Sequence, residues 1–301
     1  MKRVLKGVDS WFTEPGAPDR LGALRIMVGL FASVYLVLRF PAFHELGSAP
    51  EREFEPVGVL WLLGSPLPSP AVTIGLFASI ALGVAFTVGA CFRVCGPLFA
   101  LLLLVTTTYH SSWGQLLWFE NLMVLHVLIL GFSASADACA VDARIHSAPA
   151  PDPAYGWPVR LAAVVTVLTY VLAGVAKLRI GGLDWLRGDT LRNHIAYSAA
   201  RLDLLGATPS PLARPLVANG WMATPGALLI VGVELCAPVA LIGGRIRDTW
   251  VAIVWMMHAA TAAVMFVVFP YPLLLVAFAP LYPLERMLDR ISGPAPLKPQ
   301  Y

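Results

Sequence analysis

Apolar residues run along this chain in blocks of about twenty, set apart by short polar or proline-rich stretches. At about 1.5 Å per residue, a helical block of that length matches the roughly 30 Å hydrocarbon core of a bilayer. The pattern predicts membrane helices at 21–40, 71–90, 96–110, 117–136, 158–178 and 222–242. Residues 249–283 contain no Asp, Glu, Lys or Arg and are too long for one crossing. Pro270 and Pro272 break that run into a span at 249–269 and a shorter span or re-entrant piece at 271–284. The expected fold is all-α, a polytopic helical membrane bundle of about 7–8 membrane segments.

The polar stretches divide this bundle. Residues 1–19 read as an amphipathic interfacial helix, with Val4, Leu5, Val8, Trp11 and Phe12 on its apolar side and Lys2, Arg3 and Lys6 on the other. They lack the continuous apolar core of a cleavable signal, so the first span is expected to serve as an uncleaved anchor. Residues 41–70 are rich in Pro and Glu and hold VGVLWLLG, which is too short to cross. A Pro-rich loop at 137–157 separates the halves 20–136 and 158–288 of the membrane domain, and 289–301 form a tail. Residues 179–219 carry no span.

Composition agrees with the pattern. The chain of 301 residues is 58% hydrophobic and 13% charged, with mean hydropathy +0.73; soluble domains run near about 25% charged. Long apolar runs without alternation exclude a β-barrel. The net charge of +3 is small and scattered, which excludes the basic stripe of a nucleic-acid binder. Cys91, Cys95, Cys139 and Cys236 lie in or beside apolar segments without metal-ligand spacing, so no metal is expected. Loop charge places the N-terminus, Arg93, 137–155, Arg245, Arg247 and the tail inside, and the acidic 41–70 loop outside. Residues 179–219 carry five arginines yet fall outside by the same count. The protein is expected to be integral and multi-pass, in a bacterial cytoplasmic membrane. A transporter is disfavoured because neither repeats nor paired broken helices are visible.

An ionisable group inside a bilayer is costly, so each one is a candidate for function. The candidates are Arg25, Asn121, His126, Lys177, Glu234 and His258. Each has a plain alternative. Arg25 snorkels or pairs with Glu234; Asn121 and His126 hydrogen-bond between helices; His258 packs in the core; Lys177 snorkels to the interface. Lys177 is the strongest candidate. It closes the predicted span at 158–178, before a Gly181–Gly182 turn, Trp185 and a polar amphipathic segment. Tyr170, Gly174 and Lys177 fall at i, i+4 and i+7 on one helical face. Gly174 leaves room there for something flat or for a close helix. An ammonium at the edge of such a slot must snorkel, find a partner or give up its proton. No phosphate-cradling loop, GxSxG, HExxH or dinucleotide fingerprint is present.

The stretch YVLAGVAKLRIGGLDWLRG resembles the HTTM membrane domain shared by vitamin K-dependent gamma-glutamyl carboxylases and many bacterial proteins. The matching positions are Tyr170, Ala173, Gly174, Lys177, Leu178, Trp185 and Gly188. The likeness extends through ALRIMVGLF, GACFRVCGPLF, Asn121, Asp137, Asp142, Glu234 and the His258-containing MMHAATAAVMFVVFPYPLLLVAFAPL. The resemblance implies a bacterial-type short form in which Lys177 is the base that deprotonates a reduced naphthoquinone (vitamin K hydroquinone or a menaquinol-like quinol). In that family, oxygenation makes a stronger base, a glutamate γ-carbon loses a proton and takes up carbon dioxide, and the quinone leaves as an epoxide. By the same resemblance Asn121, Glu234 and His258 polarise or orient, Tyr170, Gly174 and Trp185 hold the quinol, and Arg25, Asp137 and Asp142 pair or support. The implied partners are the lipid bilayer, the quinol and a peptide or protein substrate. Two departures stand out. The carboxylases carry a histidine directly after the asparagine, where this chain has Leu122, with His126 one turn on. The animal enzymes also carry a large lumenal C-terminal part, whereas this sequence runs to Tyr301. The alternatives are a non-catalytic membrane protein for peptide export, maturation or immunity, and an electron-transfer protein, since the AG-x-x-KL core is also similar to DoxX-like quinone-associated proteins.

Overall fold

The computed structural model describes residues 7, 9–114, 118–145 and 149–287. The tail at 289–301, His146, and most of the apolar and basic positions of the N-terminal helix (Lys2, Arg3, Val4, Leu5, Lys6, Val8) lie outside the described residues. The described residues are helical, and their one β-bridge joins Gly16 to Asp152. Among the described residues five helices are long and apolar enough to cross a membrane, and two shorter apolar helices accompany them. The chain divides into two compact units, Met1–Ala162 with Tyr282–Tyr301, and Ala163–Leu281.

The first unit begins with α1, Pro18–Glu45. Its buried positions include Leu21, Leu24, Arg25, Val28, Ala32, Tyr35 and Leu36, a stripe at helical spacing. Leu30, Val34, Val37 and Leu38 are exposed, which suits a helix whose outer face meets lipid rather than water. The helix runs on past the predicted end at 40, through Pro41, and Phe43 meets the His110 ring at 4.5 Å. Helices α2, Ser69–Val88, and α3, Phe92–Ser111, form an antiparallel pair closed by a tight turn. Gly89 ends α2 at φ 69°, a left-handed cap that suits glycine. Asp142 then accepts from the Cys91 and Phe92 amides at 3.0 and 2.8 Å, satisfying donors that open α3. Helix α4, Trp118–Gly131, is shorter than the predicted 117–136, because the chain turns after Gly131 and Ser135 bonds back to the Leu130 carbonyl. The loop that follows is fixed from both sides: Tyr155 donates to Asp137 at 2.9 Å, and Gly16 and Asp152 exchange backbone bonds.

Helix α5, Pro153–Arg187, carries the chain into the second unit. It does not stop at Lys177 as the sequence suggested. The helical register continues through Leu178, Arg179 and Ile180 and breaks at Gly182, whose φ of 53° and ψ of −136° are open to glycine and few other residues. Helix α6, Asp189–Leu204, is the polar segment expected after the glycine turn, and buries only Ile195. A short α7, Ala213–Ala218, leads to α8, Gly220–Leu235. The predicted span 222–242 ends early as an α-helix: Pro238 cannot donate to a helical ladder, and Ala237–Ile242 continue as a 3-10 turn. Helix α9, Gly244–Met265, begins before the predicted 249 and ends before 269, where Phe266 caps it in the left-handed region. The piece expected at 271–284 is not a spanning helix. It is one helical turn, α10, Pro270–Leu273, and a 3-10 segment, Val276–Leu281, all six of whose residues are buried. Prolines 270, 272 and 280 deny it a regular ladder, and Thr166 satisfies the Ala277 carbonyl at 3.0 Å.

Candidate functional site

Four of the ionisable or polar groups singled out in the sequence meet inside the second unit. Helix α5 presents Tyr170, Gly174 and Lys177 on one face, as the spacing required. Glu234, on the last turn of α8, faces Lys177: Nζ donates to Oε1 at 2.6 Å and to Oε2 at 2.8 Å. The Glu234 side chain is 5% exposed and that of Lys177 22%, so the carboxylate is enclosed while the ammonium keeps an open side. Buried carboxylates need a cation or a proton, and this one has its cation. About two turns along α5, the Tyr170 hydroxyl and His258 Nε2 are 2.9 Å apart. His258 is close enough to Lys177, and Tyr170 to Glu234, for the charges to act on them, so the two pairs form one electrostatic cluster.

Aromatic rings wall this cluster. Trp250 meets the Tyr170 ring edge-on at 5.3 Å, Phe278 stacks on it at 6.1 Å, and Phe269 touches His258 at 5.1 Å. The indole of Trp250 is oriented by a 3.0 Å bond to the Val233 carbonyl, directly before Glu234. On the open side, beyond the break, Trp185 folds back against Gly181 and places its ring 5.4 Å from Lys177 Nζ. That is a cation–π contact. The chain's local chemistry explains the fold-back. Gly181 has no side chain to hold the indole off, and the turn at Gly182 redirects the backbone.

Gly174 settles between the two readings the sequence left open. A Cβ there would stand 3.0 Å from Leu235 Cδ2 and 3.1 Å from Glu234 Cβ. The slot is filled by α8, so the close helix, not an open space, is what the glycine serves.

The remaining sequence candidates lie in the first unit. Asn121 is on α4 with its side chain exposed. His126 is fully buried and bonds the Ala162 carbonyl at 3.2 Å, a helix–helix contact. Arg25 is also fully buried, donates to the Cys139 carbonyl at 2.5 Å, and lies over the Phe92 ring at 5.7 Å. Its pairing with Glu234 is therefore replaced by two separate arrangements: Glu234 takes Lys177, and Arg25 takes the loop that Asp142 also supports. Among the described residues no group of three or more His, Cys, Asp and Glu could hold a metal ion.

Sequence reasoning passed over two sets of residues. Trp250 and Phe278 wall the cluster but looked like ordinary membrane aromatics. In the first unit, Tyr35 donates to Glu120 Oε1, and Arg39 lies within electrostatic reach of Tyr35, Glu120 and His110. Glu120 is 2% exposed. Its position at the edge of an apolar block disguised it as a helix-end acid, although Tyr35 and Arg39 at i and i+4 were a readable signal.

Comparison with known proteins gives a family-model match. The HTTM domain covers residues 13–285. No curated protein and no solved structure matches the chain.

Proposed function

The chain belongs to the HTTM domain family, and on that premise we propose that it is a quinol-dependent membrane enzyme, carboxylase- or oxygenase-like, with Lys177 as its base. The observation that carries the reading is the enclosed Lys177–Glu234 pair, open to one side and set beside the Tyr170–His258 pair. The same reading takes the two shorter apolar helices and the buried 270–281 piece as parts of the expected 7–8 membrane segments.

The residues fit a reduced naphthoquinone in one place and not in another. The Gly174 slot is occupied by Leu235 and Glu234 and admits no ring. The open side of Lys177 fits, because it presents an ammonium beneath a flat indole, a surface on which an aromatic ring stacks. Lys177 and Trp185 are the residues that would hold the quinol. When bound, it supplies an acidic phenolic hydroxyl and the reducing power for oxygen chemistry. Glu234 stores a proton: along the 2.6 Å bond, transfer from Nζ to Oε1 leaves a neutral amine beside a carboxylic acid. The amine accepts a proton from the open side, and the resulting ammonium stabilises the anion formed there. Tyr170 and His258 fix the polarity of the buried wall, and the rings of Trp250 and Phe278 keep water out.

The test uses purified protein in nanodiscs with a reduced naphthoquinone, oxygen and a glutamate-containing peptide, reading quinone epoxide and peptide carboxylation. Lys177→Ala should lose epoxide formation by about 10²-fold or more while inserting and eluting as the parent does. Undiminished epoxide in that variant removes Lys177 as the base. Quinol binding with redox turnover but no epoxide selects the DoxX-like electron-transfer reading.

A second reading has its own observation. In that reading α8 seats closely on Gly174 and the ion pair is a helix clamp in a non-catalytic membrane protein for peptide export, maturation or immunity. Wild-type protein that neither binds quinol nor makes epoxide selects that reading.

A further inference from the structure

The other face of the α8–α9 hairpin carries a groove of about 540 Å³, within the roughly 300–1,000 Å³ of small-molecule clefts. Its floor and walls are apolar, among them Leu228, Leu229, Val233 and Ile253. One charged residue lines it, Arg245, at the start of α9. Arg245, Thr249 and Ile253 follow at i, i+4 and i+8, so the cation stands at one end of the groove and the apolar wall runs away from it along one helical face. The eight steps from Arg245 to Ile253 cover about 12 Å of helix. That is close to one leaflet, half of a hydrocarbon core of about 30 Å.

Arg245 is available. Its neighbour Arg247 is committed to Asp248 at 2.8 Å and to the Leu281 carbonyl at 3.0 Å. Arg245 is exposed and has neither an ion pair nor a hydrogen bond among the described residues. The groove is also open at its middle, where a Cβ added to Gly232 would meet nothing within 4 Å.

We propose that this groove is a binding site for an anionic phospholipid, with the phosphate on Arg245 and an acyl chain lying between α8 and α9 against Gly232. The charge decides the occupant. An apolar groove alone accepts any acyl chain, but a single unpartnered guanidinium where a membrane helix begins selects a lipid with net negative charge. Trp250 lines the groove and also walls the Lys177–Glu234 cluster, so the lipid packs against the back of that wall.

The experiment incorporates the full chain into mixed phosphatidylcholine and phosphatidylglycerol nanodiscs, releases it and reads retained lipid by native mass spectrometry. Wild type should retain one phosphatidylglycerol in preference to phosphatidylcholine by about fivefold, the scale of one cation near an anionic surface. Arg245→Gln should keep a lipid and lose the preference. Gly232→Leu, which fills open space, should lose the lipid while keeping its elution volume and helical spectrum. Equal retention of both lipids by wild type overturns the proposal, as does a preference that survives Arg245→Gln. A lipid-free dimer that Gly232→Leu separates would overturn it too, in favour of a second copy in the groove.

Discussion

At the scale of residues, the Lys177–Glu234 pair sets the energetics of the second unit. Removing one partner leaves the other charge without an answer in a poor solvent. Lys177→Met should therefore destabilise the protein by about 2 kcal/mol, less than the roughly 3–5 kcal/mol of a fully enclosed pair because Lys177 is 22% exposed. Glu234→Leu alone should cost less, since Lys177 has an open side through which to reach water. The double variant should recover most of the stability of the parent, and under the proposed function it should make no epoxide. Thermal unfolding in detergent checks the first half, and a double variant no more stable than Lys177→Met would show that the pair is not the source. How much of this was legible is instructive. Each residue was marked by the cost of a charge in a membrane, but their pairing was not, because 57 positions separate them and the register of α5 against α8 depends on packing. The Arg25–Glu234 pairing failed for the same reason: both charges needed partners, and a one-dimensional pattern does not say which.

At the scale of elements, boundaries are where hydrophobicity misled. Apolar blocks marked the helices, but their ends follow backbone chemistry: a left-handed Gly89, a broken register at Gly182, a proline after α8 and a left-handed Phe266. The last apolar run reads like a span yet lacks the donors to be one. Gly182 offers a direct check. Gly182→Ala should cost about 1–3 kcal/mol, because the φ/ψ there is nearly closed to a side chain. Gly226, inside α8, is the contrast: a Cβ there finds Leu191 at an ordinary 3.5 Å, and Gly226→Ala should stabilise by up to about 1 kcal/mol. Equal effects of the two substitutions would mean that the break in α5 is not held by the glycine.

At the scale of the whole molecule, alternation of α1 to α4 puts the α2–α3 turn and the segment after α4 at the same end of the first unit. Backbone bonds from Val141 to Val88 and from Asp142 to Gly89 tie them together. Cys91 and Cys139 should thus react with an impermeant maleimide from one side of the membrane only, and the same side for both. Their reaction from opposite sides would break the topology. Burial, with Asp19 beside it, pushes the Cys139 thiol up from its ordinary range near about 8.5. Less of it is thiolate at neutral pH, so its labelling should lag that of a free thiol and catch up as pH rises. A rate that matches a free thiol throughout would mean that Asp19 and the surrounding loop do not reach it.

The ion pair also has a history within each molecule's synthesis. Lys177 emerges 57 residues before Glu234. At roughly 5–20 residues per second, that is an interval of about 3–11 s. During that interval α5 has been made and α8 has not. The ammonium meanwhile reaches water through its open side, whereas the enclosed carboxylate has no such outlet when it arrives. A carboxylate that is 5% exposed needs its cation in place when it docks, so the order of synthesis, lysine first, suits the pair: α5 brings the charge that α8 then encloses.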